Sequence, residues 1–186
     1  MSKENKSFFW AGAMFFTALF FFGFSNGIKI SPRLQEKLNN AVKSTFEVQE
    51  FSLQLIEVSK ELNSKTMVEL GGENLFAVKT NQQIIGYAYL GQAPSMKNIF
   101  DYVVLFNMDM SIKKSKVLIY REDYGRQIGS QRWLKQFIGK KTGDELIYAQ
   151  NIDAIAGATI SAKSMTKAIN DVLQSIEIVR ESNTLK

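Results

Sequence analysis

The chain reads as an α+β protein: a single N-terminal transmembrane helix followed by one compact domain, in which an antiparallel or mixed sheet is packed by a C-terminal helix. Three patterns support this. An uncharged, mostly apolar run occupies Phe8–Phe24, and branched and aromatic segments broken by short polar turns fill the middle. Near the end, Met165, Ile169, Val172, Leu173 and Ile176 recur at helical spacing. Strands followed by one long helix suit an α+β domain better than an alternating, doubly wound one. At 186 residues and 45% hydrophobic content, one domain with a sizeable core is expected.

The run FFWAGAMFFTALFFFGF has seventeen residues, or twenty-one if extended to Ile28. At about 1.5 Å per residue, the longer count crosses a hydrocarbon core of about 30 Å. A cleaved signal peptide has a shorter apolar region and a small-residue cleavage site, so residues 1–30 read as an uncleaved anchor, with cleavage near Ser25–Gly27 the competing reading. Lys3 and Lys6 favour a cytoplasmic N-terminus against Lys29 and Arg33 on the far side. The expected location is therefore the cytoplasmic membrane, single-pass, with the domain on the periplasmic or extracellular face.

Residues 31–60 read as an amphipathic helical linker that lifts the domain from the membrane. Ser31 can cap a helix with Pro32 at its first position, and Leu34, Leu38, Ala41, Val42 and Phe46 follow at spacings of three and four. Phe51–Val58 alternates as a short strand would. LFAVKT, a turn at Asn81 and Gln82, and QIIGYAYLGQ form a hairpin pattern. Phe100–Met108 and Lys116–Tyr120 make a second strand pair. Ser130 stands where it can cap a short helix that turns Trp133, Leu134 and Phe137 inward, and Leu146–Tyr148 suggests another strand.

There is no Cys and no His. Thiol nucleophiles, zinc sites, histidine general bases and a Ser-His-Asp mechanism are excluded, so any redox or group-transfer role uses hydroxyls, carboxylates or a bound organic cofactor. The formal charge of +5 is spread along the chain, which argues against nucleic acid as a partner.

Before the last helix stands DAIAGATISAKSM, Asp153–Met165. Ser161 is the expected N-cap, with Thr159 in the loop two residues earlier. A helix N-terminus suits a phosphate, and Gly157 permits unusual backbone angles and close approach, although plain capping chemistry has the same composition.

The segment Asp153-Ala-Ile-Ala-Gly157-Ala158-Thr159-Ile160-Ser161 resembles the flavinylation motif of the FMN-binding domain family. That family includes the C subunit of the sodium-pumping NADH:quinone reductase and the G subunit of the Rnf complex. The resemblance implies an FMN-binding domain over 61–186 and FMN joined to Thr159 by a phosphoester, attached by a flavin transferase that uses FAD. It makes Gly157 and Ala158 the close-approach residues, Ile160 the apolar position, Ser161 the closing hydroxyl and Asp153 the leading acid. Ala156 departs from the Ser or Thr usual in the family. Ring contacts are expected from Glu122, Tyr124 and Gly125 at the end of the KVLIY strand, with Tyr87, Tyr89 and Trp133 assigned to the core.

The implied role is an extracytoplasmic electron carrier or redox-complex subunit, rather than an enzyme with its own substrate, that meets membrane or periplasmic redox partners. Two alternatives stay open at this point. One is a membrane-tethered module that binds flavin or another phosphorylated ligand reversibly; the other is a structural component of an envelope redox complex.

Overall fold

The computed structural model describes residues 30–182, 184 and 185. The expected anchor, Phe8–Phe24, lies outside them. Among the described residues, no helix is long and apolar enough to cross a membrane.

Helix α1 (Pro32–Phe46) begins as expected: Ser31 Oγ accepts from the Leu34 amide at 3.3 Å and Pro32 opens the first turn. It ends at Glu47, whose left-handed conformation stops the helix. Rather than standing free as a spacer, α1 is a layer of the fold. Leu34, Leu38, Ala41 and Val42 are buried against Phe76, Val78, Leu90, Val103, Leu105 and Leu118.

The sheet is a five-stranded meander of β1 (Ser52–Leu55), β2 (Leu75–Thr80), β3 (Gln83–Pro94), β4 (Ile99–Phe106) and β5 (Ile112–Ile119), in spatial order of sequence. Every pairing is antiparallel, so the mixed option falls away. Asn81 and Gln82 form the predicted β2–β3 turn, both at positive φ (47° and 65°), as a tight hairpin matched to strand twist requires. A one-turn helix, α2 (Lys60–Asn63), lies between β1 and β2.

Two differences from the sequence reading have clear causes. β5 starts at Ile112, four residues before the expected Lys116, because Lys113 and Lys114 hide the strand in a polar run while Ile112 and Ser115 are buried. Leu146–Tyr148 is not a strand: Asn170 Nδ2 donates to the Leu146 carbonyl at 2.7 Å, and Asn170 Oδ1 accepts from its amide at 3.2 Å. The backbone groups a neighbouring strand would use are engaged by a side chain. Only an isolated bridge, Tyr148 to Ile152, remains.

The opposite sheet face carries α4 (Thr159–Glu181), with α3 (Gln131–Leu134) beside it. Met165, Ile169, Val172, Leu173 and Ile176 are all buried, as their spacing predicts, and Trp133, Leu134 and Phe137 join the same core with Tyr87, Tyr89 and Tyr102. Burial pushes the Tyr89 phenol up to about 12 and Tyr102 well above its ordinary value, so both are neutral core residues. With α1 on one face and α4 on the other, the sheet is the middle of three layers, and its β3-end, β4-start and β5-end lie at one pole.

Candidate functional site

At that pole a cleft of about 470 Å³ lies between three backbone segments: Met96–Asn98 of the β3–β4 loop, Tyr120–Tyr124 after β5, and Gly157–Ser161 at the start of α4. Its volume is in the range of small-molecule sites, roughly 300–1,000 Å³.

The floor follows from one tight turn. Gly157 takes φ 76° and the Ala158 amide donates to the Ile155 carbonyl at 3.1 Å, so the chain reverses and enters the helix at once. The helix therefore starts at Thr159, and the expected N-cap, Ser161, lies inside its first turn. Ser161 is buried, with its Oγ 2.9 Å from Tyr120 Oη instead of capping an amide. The cap position is held by Ala158, which has no side-chain acceptor. A 23-residue helix thus presents an uncapped N-terminus to the cleft, with the exposed Thr159 in its first turn. No protein atom would meet a β-carbon at Gly157, so this glycine is required by backbone angle, and the space above it is open.

One wall is fastened by Glu122. A single carboxylate oxygen accepts from the Ser95 hydroxyl at 2.6 Å and from the Lys97 and Asn98 amides at 2.7 and 2.8 Å. These bonds, led by that from Ser95, hold the Glu122 carboxyl down to about 2. Glu122 thus lines the cleft, but the oxygen that accepts these bonds holds the loop. Next to it, Arg121 pairs with Asp101 at 2.6 Å, and Asp101 is fully buried and also accepts from Gln92 at 2.7 Å. This fixes the direction in which the chain leaves β5.

Gly125 adopts φ 75°, and a β-carbon there would lie 2.9 Å from Tyr120 Oη, 3.0 Å from the Gly157 carbonyl and 3.1 Å from Ala158 Cβ. The strand end and the small-residue loop meet at this point. Tyr124 lines the cleft and is 85% exposed, and Ile160 on the facing side is 51% exposed.

Of the residues singled out from sequence, Gly157, Ala158, Thr159, Ile160, Ser161, Glu122 and Tyr124 line one cleft, and Gly125 buttresses it. Asp153 does not line it; its carbonyl accepts from Trp133 Nε1 at 2.7 Å and its amide donates to Gln136 at 2.9 Å, which anchors the loop's start. Sequence reasoning missed Met96–Asn98 and Tyr120. The loop carries no motif, and its place in the site depends on the long-range bonds to Glu122.

Residues 97–174 match the family model of the FMN-binding domain. That stretch, less than half of the chain, is similar to the FMN-binding domain. No curated protein matches the chain. The match runs from the cleft loop to the middle of α4, so the matched stretch takes in all three segments that build the cleft except Met96. The residues present fit FMN: an uncapped helix N-terminus for a phosphate, a reachable hydroxyl beside it, and a cleft with exposed apolar side chains for a flat ring. Among the described residues, no cluster of acidic side chains could hold a metal ion. The match and the shape of the cleft support flavin binding.

Proposed function

We propose that the protein is a membrane-anchored, extracytoplasmic electron carrier whose FMN is joined to Thr159 by a phosphoester. The observation that carries this reading is Thr159 itself. It is the first residue of α4, exposed at the cleft, where the helix lacks a side-chain cap. A phosphodiester there accepts from the first-turn amides and places its negative charge on the positive end of the helix.

A flavin transferase with FAD as donor is the maturation partner. Thr159 Oγ1 forms the new bond to phosphorus, the pyrophosphate linkage breaks, AMP leaves, and the hydroxyl proton is lost. FMN supplies one- and two-electron transfer when bound. The chain's own residues position it. Gly157 keeps the approach to Thr159 open, Glu122 holds the 95–98 loop as a wall, and Tyr124 and Ile160 offer apolar surface to the ring.

The missing thiols and imidazoles agree with this role, because no side chain has to act as a nucleophile or base in turnover. The anchor, Phe8–Phe24, keeps the carrier beside redox partners in or at the membrane.

Protein made with an active flavin transferase should keep its flavin through denaturing electrophoresis, seen as in-gel fluorescence, and Thr159→Val should lose that signal. A fluorescent Thr159→Val band contradicts attachment at Thr159. Flavin that washes out of both proteins on denaturation points to reversible binding.

A further inference from the structure

The cleft and the start of the described chain share a pole. The C-terminal end of α1 is pinned to the far end of the sheet: Lys116 Nζ donates to Ser44 Oγ at 2.8 Å, and Lys113 Nζ lies 5.6 Å from the centre of the Phe46 ring. A helix of 15 residues covers about 22 Å at about 1.5 Å per residue. At about 3.3 Å per strand residue that equals six or seven residues of β5, which brings Pro32 to the level of Ile119. Ile30 packs in the same layer as Leu118 and Ile119. The α4 start lies at this pole too, since Ser164 donates to the carbonyl of Pro94. Both long helices therefore direct their positive ends the same way.

The surface here is unusual for the molecule. Eight large apolar side chains are exposed among the described residues; three of them, Met96 (73%), Tyr124 (85%) and Ile160 (51%), line the cleft, and a fourth, Ile99 (47%), follows its wall at the start of β4. Lys97 in the cleft wall and Arg126 just after Tyr124 are exposed, as is Arg33 in the first turn of α1 at the same pole. Asp123 opposes them, while Glu122 is bonded to the loop and Arg121 to Asp101. Apolar tips set among cations are the pattern of a protein face that lies in a headgroup layer.

We infer that this pole rests on the bilayer surface, so that the cleft opens toward anionic phospholipid headgroups. The inference rests on the anchor reading given above. Five residues separate Phe24 from Ile30, and even fully extended the link reaches only about 20 Å. The cleft is thereby held at the membrane surface.

The chain contains no cysteine, so single labels are specific. Full-length protein carrying Met96→Cys at the cleft mouth, or Met108→Cys in the β4–β5 turn at the far pole, is labelled with an environment-sensitive fluorophore. It is then reconstituted into vesicles of phosphatidylcholine and phosphatidylglycerol with a quencher on the lipid headgroup. Quenching several-fold stronger at position 96 than at 108 is expected, with the contrast falling at least several-fold in the double variant Arg33→Glu, Lys97→Glu. Both replaced residues are exposed, and an acid in the first turn of α1 favours that helix, so folding is retained. Equal quenching at both positions overturns the inference and leaves the anchor reading intact. Protein that does not float with the vesicles overturns both. Contrast that appears only in native membranes assigns the face to a protein partner and overturns the lipid assignment. None of these readouts depends on flavin, so they do not test attachment at Thr159.

Discussion

Tyr120 Oη lies 2.9 Å from Ser161 Oγ, which joins the end of β5 to the first turn of α4 at the base of the cleft. The Tyr120 ring also packs on Phe100, with centroids 5.9 Å apart, so the hydroxyl is aimed by the core. Tyr120→Phe keeps the ring and deletes the bond. A loss of about 1 kcal/mol is expected from chemical denaturation. In a double-mutant cycle with Ser161→Ala the two effects should be less than additive, and full additivity would show that the bond does not couple the strand to the helix.

Gly125 and Gly157 share nearly the same backbone angle, φ 75° and 76°, but differ in surroundings. Gly157→Ala meets no atom and should cost only the left-handed backbone term, about 1–2 kcal/mol. Gly125→Ala carries that term and must also displace Tyr120 Oη, the Gly157 carbonyl and Ala158 Cβ, so it should destabilise more. Denaturation midpoints of the two variants give the comparison directly. Equal costs would mean the Gly125 contacts yield without resistance.

Glu122 predicts a pH dependence. Its carboxyl is depressed from an ordinary value of 4.5 to about 2, so the folded state favours the charged form. The stabilisation is complete above about pH 4.5 and is lost as pH falls toward about 2. Glu122→Gln removes the titrating group. The stability gap between wild type and variant should therefore be constant near neutrality and close across that acid window. A gap that persists unchanged at pH 2 would mean that the hydrogen bonds to Ser95, Lys97 and Asn98 do not depend on the charge.

Much of this architecture is legible in the sequence because it is periodic. The apolar stripe of α4, the Ser31–Pro32 start of α1, and the Asn81–Gln82 turn each depend on neighbours a few residues away, and each appears where expected. The motif loop stands out through its resemblance to the family pattern, while its local reading puts the N-cap at Ser161 rather than at Ala158. What escapes is set by distant partners. The Leu146 backbone pairs with Asn170 rather than with a strand, Ser161 faces Tyr120 rather than an amide, and α1 covers a sheet face that no local pattern announces. The cleft wall at Met96–Asn98 belongs to the same class, since Glu122 reaches it from 24 to 27 residues away.

The most direct test of the central claim is the mass of the peptide that contains Thr159, from full-length protein produced with an active flavin transferase. An FMN phosphoester on Thr159, absent from Thr159→Val and from protein made without the transferase, is the predicted result. An unmodified Thr159 peptide under those conditions, or FMN carried on another residue, contradicts it.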